Sequence, residues 1–124
     1  MDTRSKILTL DAARRLAPPV VLAAGCFDVL RAEHTRELRG IRARHAGSRL
    51  VVAVLPLAGA LLEQRARAEL AAALRMVDYV VIADPGDVDA LVECLKPAET
   101  ARLEPLDARL IRQLKEHVRD RQTR

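Results

Sequence analysis

Four consecutive residues, Gly25, Cys26, Phe27 and Asp28, stand where a short apolar run ends; Arg31-Ala32-Glu33-His34 then opens a long helical pattern. The run at residues 20–24, Val-Val-Leu-Ala-Ala, is too short for a helix and suits a buried strand. A strand, a tight glycine turn and a helix N-terminus make a phosphate cradle, because free backbone N–H groups and the helix dipole converge on one point. Gly25, Cys26, Phe27 and Asp28 are therefore candidate ligand-binding residues, with His34 at the start of the adjoining helix. The chemistry they suit is the holding of an anionic, phosphorylated ligand.

The elements that must position this turn can be read on either side of it. Residues 5–17 form an amphipathic lead-in: Thr9 caps a helix carrying Leu10, Ala13 and Leu16, and Pro18-Pro19 stops it. Residues 32–46 are predicted helical, with Leu38 and Ile41 inward, Arg36, Arg39, Arg42 and Arg44 mostly outward, and Gly47 at the C-terminal cap. Leu-Val-Val-Ala-Val-Leu at 50–55 does not alternate, as expected of a strand covered on both faces. After a loop at 56–60, a helix is predicted at 61–76 with Leu62, Ala66, Leu70, Ala73 and Leu74 on its apolar face. A strand follows at 77–83. Asp87 is expected to cap the next helix, where Val88, Leu91, Val92 and Leu95 recur at helical spacing. A weak strand near 100–103 and a last helix at 105–121, striped by Leu106, Leu110, Leu114 and Val118, complete the pattern. Strands alternating with helices indicate an α/β fold, a Rossmann-like parallel sheet with helices on both faces in three α/β/α layers. Ligands of such sheets bind at the carboxyl ends of the strands, where the glycine turn lies.

Composition sets the outer bounds. The 124 residues suit a single domain, 1–124, with a core drawn from Ala, Leu and Val because only 2% are aromatic. No apolar run is long enough to span a membrane, and Met1-Asp2-Thr3-Arg4 lacks a signal peptide's apolar stretch. Cys26 and Cys94 stand far apart in no metal-type spacing, so no metal site is expected and a reduced, cytoplasmic setting fits. The net charge of +4 is uneven: residues 31–49 hold six arginines against two glutamates, residues 50–101 four cations against eight acids. A basic helix beside the cradle suits an anionic ligand, and a solvated helix face explains it equally well. Nucleic acid is disfavoured as a partner, since one Phe, one Tyr and no Trp leave almost nothing to stack. Arg4 and the stretch from Arg119 to Arg124 read as frayed ends.

Gly25-Cys26-Phe27-Asp28-Val29-Leu30 with Arg31-Ala32-Glu33-His34 resembles G-x-F-D-x-x-H-x-G-H, the signature of the cytidylyltransferase-like nucleotidyltransferases. The likeness is strongest to the heptose-phosphate adenylyltransferase domain and to glycerol-3-phosphate cytidylyltransferase. Arg49 to Val54 is similar to the family's second strand, Leu62-Glu63-Gln64-Arg65 to its E-Q-R helix, and residues 70–81 to the V-D-x-V block, so coverage runs from about residue 6 to about residue 97. The resemblance implies nucleotidyl transfer from ATP or CTP, with Mg²⁺, to a sugar or polyol phosphate. There an acceptor phosphate attacks the α-phosphorus and pyrophosphate leaves, so fixed cations and N–H donors carry the catalysis. The family draws these from two signature histidines, a lysine after the second strand, the E-Q-R arginine and a late Ser/Thr helix cap. The resemblance assigns the catalytic positions to His34, Arg65 and Arg31, the last standing where the family has its first histidine.

This sequence departs from the pattern in several places. Glu33 replaces the signature glycine, residues 55–60 hold no cation, and Glu104-Pro105-Leu106-Asp107 enters the last helix in place of the Ser/Thr cap. A carboxylate at Glu33 complements the helix dipole, but beside a triphosphate it costs about a few kcal/mol of affinity. Arg31 reads as a substitute cation or as one more solvated arginine. His34 reads as a phosphate ligand or as a helix-start histidine bonded to backbone. Arg65 reads as a phosphate contact or as an ion pair with Glu69 at i+4. Asp28 suits a turn-holding role better than that of a base, and Cys26 is most simply a packed small residue. Three readings stand: a degenerate nucleotidyltransferase with at most residual nucleotide or phosphate binding, an active adenylyl- or cytidylyltransferase, and an interaction module forming a homodimer. An active enzyme should tolerate or improve with Arg31→His and Glu33→Gly, whereas an interaction module should be indifferent.

Overall fold

The computed structural model describes residues 2–122, without the side chain of Gln122; Met1 and the tail residues Thr123 and Arg124 lie outside the described residues. A short 3-10 turn, Thr3–Lys6, leads into β1 (Ile7–Leu8) and α1 (Leu10–Arg14). Then come β2 (Val20–Gly25), α2 (Ala32–Arg44), β3 (Arg49–Val54), α3 (Gln64–Ala72), β4 (Tyr79–Ile82), α4 (Pro85–Leu95), β5 (Thr100–Arg102) and α5 (Glu104–Gln122). All pairings are parallel and the strand order is β1-β4-β3-β2-β5. The chain thus steps outward from β2 through β3 to β4 and returns to the far side of β2 for β5. That reversal puts the carboxyl end of β2 at the crevice where such sheets bind ligands.

Alternation along the strands separates two cores. Val21 and Ala23 of β2 face α2 and α3 together with Leu38, Ile41, Ala68 and Ala71. Val20, Leu22 and Ala24 face α1 and α4 with Ala13, Val88 and Leu91. Every residue of β2 is buried, which explains its unbroken apolar run. The three-layer expectation holds. No helix among the described residues is long and apolar enough to cross a membrane.

Several local expectations need correction. β1 is an additional strand within the lead-in, only two residues long and too short to carry any periodicity. Helix α3 starts at Gln64 rather than 61, because Leu61 and Leu62 donate their N–H groups to Asp28 and stay in the loop. Its buried face is Arg67, Ala68, Ala71 and Ala72, while Leu62 and Leu70 of the predicted stripe are exposed. Asp84, not Asp87, is the N-cap of α4; the two exchange backbone N–H bonds in a capping box, with Pro85 at the first helical position. Arg119, Asp120 and Arg121 are helical within α5 rather than frayed, and Arg4 pairs with Asp2 at 3.1 Å.

Two arginines of α2 are tied to acids elsewhere in the chain. Arg42 pairs with Asp78, which also accepts the Leu50 N–H at 2.8 Å. Arg44 and His45 both reach Glu99, at 2.7 and 2.8 Å. These bonds, Arg44's first, lower the Glu99 pKa to about 2. A folded-state pKa below the unfolded one means that the stability Glu99 adds is present above the ordinary carboxylate range and is lost as pH falls toward 2. Urea unfolding of the native chain and of Glu99→Gln should therefore differ at pH 7 and converge between about pH 4.5 and 2. A difference independent of pH would show that the ion pair plays no part.

Candidate functional site

The site forms where β2 ends. Phe27 adopts a left-handed backbone, φ 53°, which aims its N–H and that of Cys26 at one point. The conformation costs an L-residue about 1 kcal/mol or more, and the complete burial of the Phe27 side chain holds it in place. The anion at that point belongs to the protein itself. Asp107, in the first turn of α5, accepts the Cys26 N–H at 2.7 Å on Oδ2 and the Phe27 N–H at 3.2 Å on Oδ1. The His34 Nε2 lies 2.7 Å from the same Oδ1. Asp107 and His34 are both buried, so this pair is shielded from water.

The geometry fixes the tautomer of His34. Its Nδ1 accepts the Arg31 backbone N–H at 3.1 Å, so the ring proton sits on Nε2 and is donated to Asp107. Both nitrogens are engaged, and the neutral ring has no donor or acceptor left for a ligand. Gly25 is required for this closure: a Cβ there would stand 2.9 Å from Asp107 Oδ2 and 3.1 Å from the Leu103 Cβ. Between Asp28, Arg31, His34 and Asp107 a gap of only about 10 Å³ remains.

A second set of bonds builds the floor. Asp28 accepts from Leu61 N–H at 2.9 Å and Leu62 N–H at 3.0 Å, pinning the loop after β3 to the glycine turn. Arg67 of α3 is 2% exposed and sends Nη1 to the Cys26 and Leu55 carbonyls, each at 2.7 Å, and Nε to the Leu62 carbonyl at 3.1 Å. Gln64 ties the Val54 and Ala83 carbonyls together from the same helix. Burial pushes the Cys26 thiol pKa up, reinforced by the Asp107 carboxylate, so Cys26 is no thiolate nucleophile.

No protein-family model matches the chain. The bifunctional protein HldE of Geobacter metallireducens is 34% identical over 113 residues, spanning 78% of this chain and 23% of that protein. HldE of Geobacter sulfurreducens is 38% identical over 107 residues, spanning 79% and 21%. The crystal structure of the lipopolysaccharide core biosynthesis protein from Thermoplasma volcanium GSS1 matches with TM-score 0.58 and 25% identity over 66% of this chain and 71% of that one. The chain belongs to the cytidylyltransferase-like nucleotidyltransferases. It spans about a fifth of the length of the curated relatives it matches.

Within that family frame, the structure gathers Gly25, Cys26, Phe27, Asp28 and His34 at the end of β2. Arg31, at the N-cap of α2, lines the residual gap. Arg65 is not brought there. It is exposed and lies 3.4 Å from Glu69. Exposed pairs of this kind contribute little, so Arg65→Ala should shift the urea unfolding free energy by less than about 0.5 kcal/mol. Glu33 also turns outward, 3.3 Å from Arg36, its carboxyl held below the ordinary range by its own backbone N–H and by Arg36. The carboxylate that meets the cradle is Asp107 instead.

Two residues of the site escaped sequence reading. Asp107 lies 73 to 81 positions from its partners and looks like an ordinary acid complementing a helix dipole. Arg67 had a detectable signal: it shares a helix face with Gln64 and with alanines small enough to leave room for a guanidinium.

Proposed function

We propose that this family member is catalytically silent and binds no nucleotide at the cradle in its native form, because its own Asp107 carboxylate occupies the anion position. The observation that carries the reading is the convergence of the Cys26 N–H, Phe27 N–H and His34 Nε2 on Asp107 at 2.7, 3.2 and 2.7 Å. A nucleoside triphosphate with Mg²⁺ does not fit these residues. Its phosphates would have to displace a buried carboxylate and then lie beside it, while the loop after β3 offers no cation and Arg65 points away. Among the described residues there is also no cluster of three or more His, Cys, Asp or Glu side chains able to hold a metal. The free thiols of Cys26 and Cys94 support a reducing, cytoplasmic setting.

Calorimetric titration with ATP and CTP, each with and without Mg²⁺, tests the reading. The native chain should give no binding heat at millimolar nucleotide and release no pyrophosphate with sugar or polyol phosphates. Micromolar binding, or turnover of any of these acceptors, would overturn it.

A further inference from the structure

We propose that a cavity adjoining the closed cradle, with Asp28, Val29, Ile111 and Leu114 as shared wall, binds a single-chain amphipathic anion, an aliphatic tail carrying one carboxylate. The cavity has a volume of about 550 Å³ and lies between the turn at Asp28, the loop after β3 and one face of α5, within the size range of small-molecule sites. Leu57 and Leu61 form one wall; Ile111, Leu114 and Val118, recurring at helical spacing, form the other. Leu61 is 75% and Val118 47% exposed, so apolar surface stands in water at the mouth. The loop wall is fixed, because Asp28 holds the Leu61 and Leu62 N–H groups.

Charge selects the head of the ligand. Lys115 and Arg119 border the cavity one turn apart on α5, and neither forms an ion pair among the described residues. Like charges at i and i+4 repel each other, and an anion seated between them removes that repulsion. Asp28, the one carboxylate of the lining among the described residues, is already committed to backbone donors. Lack of aromatic rings in the lining selects the tail, since a nucleotide base would find nothing to stack on whereas an alkyl chain matches Leu, Ile and Val.

Titration of the native chain with dodecanoate below its micelle concentration tests this, with dodecyltrimethylammonium as the comparator of opposite charge. Dodecanoate should bind and the cationic amphiphile should not. Replacing both cations, Lys115→Gln with Arg119→Gln, should weaken dodecanoate about tenfold or more and leave the urea midpoint unchanged, as both positions are exposed. Arg112→Gln, an exposed cation of the same helix that does not line the cavity, should leave dodecanoate binding intact. Equal binding of the two amphiphiles, unaltered binding in the double variant, or no binding at all would overturn the proposal. So would binding only to anionic vesicles, or a dimer in sedimentation velocity that excludes dodecanoate.

Discussion

Replacing Asp107 with serine is expected to give the protein an affinity for inorganic phosphate that the native chain lacks. The substitution removes the acceptor shared by Cys26 N–H, Phe27 N–H and His34 Nε2–H and vacates the space it filled. Buried donors left without a partner cost about 1–3 kcal/mol each, and entering water recovers part of that. Unfolding in phosphate-free buffer should therefore show a loss of about 2–4 kcal/mol. Phosphate can then enter a preformed nest of N–H groups, and at a concentration a hundredfold above its dissociation constant it would restore about 2.7 kcal/mol. The native protein should show no such recovery. Asp107→Asn supplies the control: the amide still fills the site, but its NH₂ faces a donor, so it should lose stability without gaining a response to phosphate. Equal phosphate responses from all three proteins would sink the idea that Asp107 is what closes the cradle.

The difference between Asp107 and its surroundings explains how far the sequence could be read. Strands β2 and β3 announce themselves because burial on both faces demands unbroken apolar runs, and α2 because Leu38 and Ile41 recur on one side. Even β5, three residues long, was detectable. The cradle too was legible, since Gly25 and the turn after it are local features. What failed was anything decided by packing at long range. A leucine stripe looks like the core face of α3, yet the helix lies so close to the sheet that alanines fill the contact, Leu62 and Leu70 face out and Leu74, past the helix end, packs on the core. Helix α3 starts later than its pattern suggests because Asp28, 33 residues upstream of Leu61, claims the N–H groups of Leu61 and Leu62. Asp107 itself is an acid at a helix start, and nothing near it in sequence distinguishes a dipole partner from a plug. Its role exists only once β5 returns beside β2 and delivers α5 to the end of that strand.

Arg67→Ala should be among the most damaging single substitutions in the chain, lowering the urea unfolding free energy by about 3–5 kcal/mol. The guanidinium bridges three carbonyls that belong to separate segments: Cys26 after β2, Leu55 after β3, and Leu62 before α3. Truncation strips their donor from all three and leaves a void in a packed interior. Against a total stability of about 5–15 kcal/mol for a domain of this size, the loss is large. Arg67→Lys retains the charge, but a single ammonium cannot reproduce a planar fork aimed at carbonyls on two sides, so it should recover only part of the loss. Position on the helix matters more than residue type, which makes Arg65→Ala the right comparison: the same helix and the same substitution, with a side chain in solvent. If the two alanine variants unfold at the same urea concentration, the buried arginine does not brace the turn. If Arg67→Ala alone collapses, the segments that frame the cradle are held from beneath by a cation that never reaches a ligand.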